Sequence, residues 1–174
     1  EDRASLVFIH RLQPVPRFTV TTSGGWLTIA TDALTIRYKR NSGAFTEQNL
    51  EVRLAVGAKP VVWRPGTIDT GNLLGTTRSL DDVNGPAPTL DPGLVSRNGW
   101  VVVDDTARLL YDNGDWPWVT PRPAGTRQDW YFFGFGHDYR GALADFTKVA
   151  GRIPMPPRFA FGAWWSRYWA YTDA

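Results

Sequence analysis

Cysteine is absent from this sequence of 174 residues, and histidine and methionine are scarce, with 2 copies and 1 copy. Without cysteine the chain can form neither a disulfide framework nor a thiolate zinc site. The two histidines, His10 and His137, are too few for an imidazole metal cluster. We therefore expect neither a metal site nor a cofactor.

Long apolar runs and an excess of charge of one sign are also missing. No run approaches the roughly 18 to 20 apolar residues that span a bilayer, and the N-terminus lacks a basic stretch followed by an apolar core. The 19 Lys and Arg against 17 Asp and Glu give a formal charge of +2, which is too balanced for a dedicated nucleic-acid binder. We expect no membrane and no nucleic-acid partner.

Tryptophan, glycine and proline are abundant, with 9, 17 and 13 copies. The glycines and prolines predict many turns and few long helices. The length suits one globular domain of ordinary size. We interpret this composition as turn-rich β structure.

Alternation of apolar and polar residues predicts several short strands. They cover residues 18–22, 26–30, 34–38, 50–56, 100–103 and 130–133. The first two flank a Ser-Gly-Gly turn, which is typical of a hairpin. Short strands at this spacing favour a β-sandwich or barrel over βαβ units.

Between residues 67 and 100 the alternation is lost, and Gly, Pro, Asp and Asn are frequent. A loop of this length inside a compact domain is usually functional or disordered. Its many leucines favour an ordered loop over a solvated linker. We therefore expect a functional loop.

One amphipathic helix is predicted over about residues 138–150. Asp138 suits the N-cap, apolar residues recur at helical spacing, and Gly151 suits the position just after the helix. Prolines within residues 154–157 prevent the helix from continuing. The apolar run 159–165 then predicts a strand that is buried on both faces, against other polypeptide.

Several motifs are better explained by structure than by chemistry. The Gly-Phe-Gly sequence at residues 134–136 lacks the remaining residues of a dinucleotide fingerprint or a P-loop, so we interpret it as a tight strand-to-helix turn, with His137 capping or packing beside it. The adjacent aspartates at 81–82 and 104–105 point in different directions and are interpreted as turn or cap residues. No serine has a histidine partner in a motif, so no nucleophilic triad can be assembled.

Most of the tryptophans are expected in the core, because an indole has a large apolar area to bury. An indole face also stacks on the C–H face of a sugar ring. A tryptophan-rich β domain is therefore more typical of a carbohydrate protein than an average domain is.

The end of the chain resembles the domain junction of glycoside hydrolase family 31, the α-glucosidase-like family. In that junction a strand, a helix, a G-x-x-P-x-P-P linker and the first barrel strand follow in order. The matching residues are Gly151, Pro154, Pro156 and Pro157, then Phe161-Gly162 and Ser166-Arg167-Tyr168. Residues 79–105 are similar to the sandwich loop of one subgroup of the family. The resemblance covers about residues 67–174, and the earlier hairpins are compatible with it.

The resemblance implies a mainly β fold, in which a galactose-mutarotase-like β-sandwich is followed by one helix and the start of a (β/α)8 barrel. Residues 1–152 would form the N-terminal sandwich domain, incomplete at its N-terminus. Residues 153–174 would form the linker and first strand of a truncated catalytic barrel. The chain would then be a piece of a longer polypeptide.

The resemblance also implies a retaining hydrolase of α-glycosidic bonds, most often α-glucosidic. Such an enzyme uses two carboxyl groups, one as nucleophile and one as acid/base. In the family both belong to later barrel strands, so we expect no catalytic residue before Ala174 and no activity from this chain alone. The expected partners are the remaining polypeptide of the enzyme and an α-linked oligosaccharide or glycoside.

Four substrate-binding residues carry over from the resemblance. Related enzymes place an acidic residue after an arginine of the sandwich loop in the sugar subsite, and Asn98, after Arg97, occupies that position here. The aromatic residue after the first barrel strand matches Tyr171, with Trp169 nearby. We expect Asn98 and Tyr171 to converge on one pocket. The alternative is that Asn98 is a turn residue and Tyr171 a packing residue.

Two other functions stay open. A stand-alone carbohydrate-binding β-sandwich module would explain the tryptophans and the lack of a catalytic constellation. A purely structural domain without sugar contact is the weaker option.

Overall fold

The computed structural model describes residues 2–75, 90–112, 114–116, 118–125 and 127–163. Its main sheet has five antiparallel strands in chain order: β1 (Thr19–Ser23), β2 (Trp26–Ala30), β3 (Leu34–Lys39), β4 (Leu50–Val56) and β5 (Lys59–Trp63). The first four strands confirm the sequence prediction. The fifth lies outside it, because the Lys-Pro start of β5 does not resemble a strand; an edge strand accommodates this proline.

A second layer is built from later segments of the chain. It contains the antiparallel pair of β6 (Trp100–Asp104) and β9 (Trp130–Gly134) and the shorter pair of β7 (Leu110–Tyr111) and β8 (Val119–Thr120). The strands β6 and β9 confirm the predicted segments 100–103 and 130–133. The described part of the chain is thus mainly β, as expected.

The core lies between the inner face of the main sheet and the β6–β9 pair. Leu50, Val52 and Leu54 alternate along β4 and are buried there. Trp63 of β5 packs against Trp100 of β6, with ring centroids 6.2 Å apart. Each buried side chain of this size stabilises the fold by roughly 1.5 to 3 kcal/mol.

The single α-helix, α1 (Tyr139–Ala150), begins and ends where the sequence predicts. The side chain of Asp138 accepts a hydrogen bond from the Gly141 amide at 2.9 Å. The Gly151 amide donates to the Thr147 carbonyl at 3.0 Å, and Gly151 has a φ of 88°. The predicted N-cap and terminal glycine are both confirmed.

The turn between β9 and α1 is held by the backbone of Gly99. The amides of Phe135 and Gly136 both donate to the Gly99 carbonyl at 2.9 Å. Gly136 has a φ of 59°, a conformation that favours glycine. The prediction of a tight strand-to-helix turn at residues 134–136 is confirmed.

A short 3-10 helix, Arg158–Phe161, replaces the first part of the strand predicted over 159–165. The strand prediction is wrong for these residues, because no described strand pairs with them and their backbone bonds close locally. The Ala160 amide donates to Pro157 at 2.8 Å and the Gly162 amide to Phe159 at 3.0 Å. Residues 164–174, which include the end of the predicted strand, lie outside the described residues.

The side chains of this 3-10 helix are not buried within the chain. Phe159 is 76% exposed and Phe161 is 68% exposed. Their burial against other polypeptide stays a prediction.

Candidate functional site

The two described ends of the long loop run antiparallel to each other. The Leu73 amide donates to the Val95 carbonyl at 3.0 Å, and the Arg97 amide donates to the Gly71 carbonyl at 2.9 Å. The segments 67–75 and 90–99 therefore pair with each other, and we call them the loop base. Residues 76–89 lie outside the described residues, so the predicted order of the whole loop stays a prediction.

Asp69 is the centre of this base. Its Oδ1 accepts hydrogen bonds from Ser96 Oγ at 2.6 Å, from Asn98 Nδ2 at 2.7 Å and from the Gly71 amide at 3.2 Å. Its Oδ2 accepts from Asn72 Nδ2 at 3.0 Å. One carboxylate thus fixes donors from both ends of the loop, although Asp69 and Asn98 are 29 positions apart.

These contacts decide which way the Asn98 side chain points. Because a carboxylate only accepts hydrogen bonds, the atom that faces Asp69 is the amide nitrogen. The Asn98 backbone amide also donates to Ser96 Oγ at 3.0 Å. A Cβ on Gly71 would lie 2.9 Å from Asn98 Oδ1, so only glycine allows this close approach. Asn98 is held in one orientation before any ligand arrives.

A cavity of about 560 Å³ opens beside Asn98, and we call it the Asn98 cavity. Its apolar lining comes from Val56, Val61, Ile68 and Trp100, among others. Its polar lining comes from Lys59, Thr67, Arg97, Asn98 and His137. A volume of this size, with apolar walls and a few polar groups, is typical of a small-molecule site.

His137 lies in the turn before α1 and also lines the Asn98 cavity. Its Nε2 lies 3.3 Å from the Arg97 carbonyl oxygen. The sequence interpretation of His137 as a capping or packing residue omits its position at a cavity wall, which depends on a contact 40 positions away.

Of the four predicted substrate-binding residues, the structure brings Arg97 and Asn98 to the same cavity wall. Trp169 and Tyr171 lie outside the described residues. The convergence of Asn98 and Tyr171 on one pocket stays a prediction. The sequence analysis misses Asp69; its only local signal is the glycine two positions later, which is compatible with an Asp turn.

A second polar cluster lies at the other end of the second layer. Asp105 is buried and accepts from Ser5 Oγ at 3.0 Å, from Arg122 Nη2 at 2.5 Å and from Arg11 Nη2. Asp129 Oδ2 receives the other ends of the same arginines, Arg11 Nη1 at 2.8 Å and Arg122 Nη1 at 2.9 Å. We call these four charged residues the ion cluster.

The ion cluster corrects the interpretation of Asp104-Asp105. Asp104 accepts from the Thr106 amide at 2.8 Å and is the expected turn residue. Asp105 is instead a buried partner of two arginines, which the sequence cannot show because those arginines are 94 and 17 positions away. Burial also raises the pKa of Tyr131. The Arg11 guanidinium carbon lies over the Tyr131 ring, 5.6 Å from the ring centroid. The charges pair fully with each other, so the cluster is structural.

Two further findings concern the part of the chain that the structure describes. None of its helices has the length and apolar character needed to cross a membrane. None of its acidic or histidine side chains form a group of three that could hold a metal ion.

Comparison with known proteins gives no assignment. No family model matches this sequence. No curated protein matches it significantly either.

Proposed function

We propose that this chain is the non-catalytic portion of a retaining α-glycosidase of the family 31 type. The type of α-glycosidase that we propose is an α-glucosidase. In this proposal residues 1–152 belong to a galactose-mutarotase-like sandwich, and residues 153–174 begin a (β/α)8 barrel. The chain contributes accessory residues to the sugar site. The motifs at the proline-rich junction and in the sandwich loop support the proposal, as does the mainly β fold.

The observation that carries the proposal is the position of Arg97 and Asn98 on one wall of the Asn98 cavity. These are the residues that the family resemblance singles out. The cavity pairs aliphatic side chains with hydrogen-bonding groups, and a sugar ring needs the same pairing, for its C–H face and for its hydroxyls. Asp69 supports the role by holding the Asn98 amide in place.

The chemistry of the cavity suits binding without hydrolysis. The described residues that line it include no Asp or Glu, whereas a retaining glycosidase needs two carboxyl groups about 5 to 5.5 Å apart. In this proposal both groups come from barrel strands after Ala174. The chain should therefore hold a sugar but leave its glycosidic bond intact.

The test is a titration of the 174-residue chain with an aryl α-glucoside, in which NMR measures the amide chemical shifts at each glycoside concentration. We expect shifts centred on Arg97 and Asn98, and no release of the aryl group above a blank. Asn98→Ala should weaken binding about tenfold, because a sugar hydrogen bond contributes on the order of 0.5 to 1.5 kcal/mol. Gln48→Ala, in an exposed turn, is the matched control and should leave binding unchanged.

Two results would overturn the proposal. Turnover clearly above the blank would show that the chain carries its own catalytic groups. An absence of shifts around the cavity at saturating glycoside would remove its role in the sugar site. Thermal unfolding of Asn98→Ala checks that its effect is on binding, and shift mapping of the unmutated chain gives an answer even if the variant is unstable.

A stand-alone carbohydrate-binding module is the second candidate. It is favoured because Trp116 and Trp118 are largely exposed and an indole face can stack on a sugar ring. A module should be monomeric and bind glycans with full affinity by itself. A portion of an enzyme should self-associate through its exposed apolar residues and gain affinity when the rest of the polypeptide is present.

A further inference from the structure

Asn98 is followed by Gly99, and this pair of residues is chemically labile. An asparagine side chain loses its amide group most readily before glycine, because a residue without a Cβ leaves its backbone nitrogen open to react. The sequence has two other such pairs, at residues 84–85 and 113–114, but the structure describes both members only of the pair at 98–99. Whether this pair reacts depends on what holds its two reacting groups.

The reaction, deamidation, needs both groups to be free. The Gly99 amide nitrogen must lose its proton to a hydroxide ion and attack Asn98 Cγ. A bond then forms between this nitrogen and Cγ, the bond from Cγ to Nδ2 breaks, and Nδ2 leaves as ammonia after taking a proton from water. A water molecule opens the resulting succinimide ring at either carbonyl, which leaves aspartate or isoaspartate at position 98. One water is consumed and one ammonia is released.

The structure holds both groups. The Gly99 amide donates its hydrogen to the Ser96 carbonyl at 3.0 Å, and Gly99 is buried, so hydroxide cannot reach this hydrogen. Asn98 Nδ2 donates to Asp69 Oδ1 at 2.7 Å. Asn98 Cγ lies so close to Gly71 that a Cβ on Gly71 would be 2.9 Å from it. The attack therefore requires these hydrogen bonds to break, which opens the loop base.

Conversion of Asn98 would also change the loop base permanently. Asp69 Oδ1 accepts a hydrogen bond from the Asn98 amide, and a carboxylate at position 98 has no hydrogen to donate in its place. Two carboxylates at hydrogen-bond distance repel each other. The converted side chain would turn away from Asp69, and the cavity would lose the part of its wall that Asn98 forms.

We propose that Asn98 is a protected deamidation site. The closed loop base keeps the asparagine intact, and opening of the loop base allows a one-way conversion to aspartate or isoaspartate, which then holds the loop base open. The loop base thus sets a chemical lifetime for the Asn98 cavity, whatever ligand the cavity takes. The inference does not rest on the glycosidase proposal.

The first test compares the rate of deamidation at Asn98 in the folded 174-residue chain and in the same chain unfolded in urea at the same pH. Peptide mass spectrometry measures the conversion in mildly alkaline buffer. We expect it to be more than about tenfold slower in the folded chain, because opening the loop base breaks several hydrogen bonds to one carboxylate. Equal rates in the two states would overturn the proposal.

Asp69→Ala removes the acceptor that holds the Asn98 amide. We expect conversion at Asn98 to be at least about fivefold faster in this variant, because its loop base opens more often. Asp145→Ala removes an exposed carboxylate of α1 and is the matched control, with a change of less than about twofold. Equal rates in the two variants would contradict the protection by the loop base.

Hydrogen exchange separates opening of the loop base from unfolding of the whole chain. The Gly99 amide should lose protection in Asp69→Ala while the amides of β4 keep theirs, and equal losses at both places would contradict a local opening. If Asp69→Ala fails to fold, the comparison of folded and unfolded unmutated chain decides.

Asn98→Asp tests the consequence, because it places one product of the conversion in the chain from the start. Hydrogen exchange of the Leu73 and Arg97 amides, which bridge the two segments of the loop base, measures its opening. We expect faster exchange in Asn98→Asp than in Asn98→Ala, because the alanine variant loses the donor without adding a second negative charge. Exchange in Asn98→Asp as slow as in the unmutated chain would overturn the claim that the product holds the loop base open.

Discussion

At the scale of single residues, Asp69 has the largest effect on the candidate site. Four donors end on its two oxygens, and two of them belong to Ser96 and Asn98 at the far end of the loop. Ser96 is fully buried, so it cannot exchange the lost bond for water. Asp69→Ala should therefore destabilise the chain by at least roughly 2 kcal/mol, since hydrogen bonds to a charged group contribute about 1.5 to 3 kcal/mol each. Urea unfolding measures the change.

Asp145→Ala is the matched control for Asp69→Ala. Asp145 is exposed on α1 and pairs only with Lys148, at 2.6 Å, among the described residues. An exposed pair of this kind contributes little, so its loss should cost less than about 0.5 kcal/mol. Equal costs for the two substitutions would mean that Asp69 does not hold the loop.

Glu51 should make the stability of the chain sensitive to acid. Burial alone would raise the pKa of Glu51, but hydrogen bonds and charges from Arg37 and Arg53 outweigh burial, so its pKa lies below the ordinary 4.5. A lowered pKa in the folded state means that the stabilisation is complete above pH 4.5. It is lost as the pH falls through the lower, folded-state pKa.

Urea unfolding of the unmutated chain and of Glu51→Gln over a pH series measures this contribution. The stability difference between the two should be constant above pH 4.5 and should shrink below it. Glu47→Gln, in an exposed turn, should show a small difference at every pH. A Glu51→Gln difference that does not change with pH would contradict the role assigned to these charges.

Local signals predict single residues well only where the partner is close in sequence. Asp138 could be assigned as a helix cap because its partner is three positions away. Asp69, Asp105 and Glu51 are not predictable in the same way. Alternation along β4 puts Glu51 on the solvent side, where Arg37 of β3 and Arg64, just after β5, pair with it.

At the scale of elements, Gly99, just before β6, packs closely against the turn between β9 and α1 and holds that turn beside the second layer. Gly99 has a φ of 78°, and a Cβ there would lie 2.6 Å from Val56 Cγ2 and 2.9 Å from the Gly136 Cα. Gly99→Ala adds a steric clash to the cost of a left-handed conformation, so we expect a loss of about 3 kcal/mol or more in the free energy of unfolding.

Gly24→Ala isolates the conformational part of that cost. Gly24 has a φ of 57° in the β1–β2 turn, and a Cβ there would meet nothing within 4 Å. Its substitution should cost only about 1 to 2 kcal/mol. If thermal unfolding ranked Gly24→Ala as equal to or worse than Gly99→Ala, the close packing of Gly99 would not matter for stability.

Strong alternation and helix caps predict elements reliably, and an apolar run alone does not. The alternating segments became β1 to β4, β6 and β9, and the capped segment became α1. An apolar run such as 159–165 carries no period, so its structure depends on what it packs against. Residues 158–161 find no such neighbour among the described residues and take local 3-10 bonds instead.

At the scale of the whole molecule, the ion cluster joins the N-terminal segment to the second layer. Arg11 comes from that segment, while Asp105 follows β6 and Asp129 precedes β9. Phe8 reinforces the contact, since its ring stacks on Tyr131 with centroids 3.7 Å apart. Residues 5–11 thus contribute to the packed structure, although their sequence predicts no element.

The opposite end of the chain presents apolar side chains to solvent, and this should govern how the molecule behaves at high concentration. Phe159 and Phe161 of the 3-10 helix are both more than two-thirds exposed, and Ile153 and Met155 are exposed just before them. Apolar patches of this kind mark surfaces that bind other polypeptide. The 174-residue chain should therefore self-associate as its concentration rises, and Phe159→Ser with Phe161→Ser should restore the monomer. Sedimentation velocity over a concentration series measures the effect.

Leu12→Ser with Val15→Ser is the matched control, because both residues are exposed apolar positions near the other end of the chain. This double variant should leave association unchanged. A chain that stays monomeric without any substitution would contradict this prediction and would favour the proposed stand-alone module over the proposed enzyme portion.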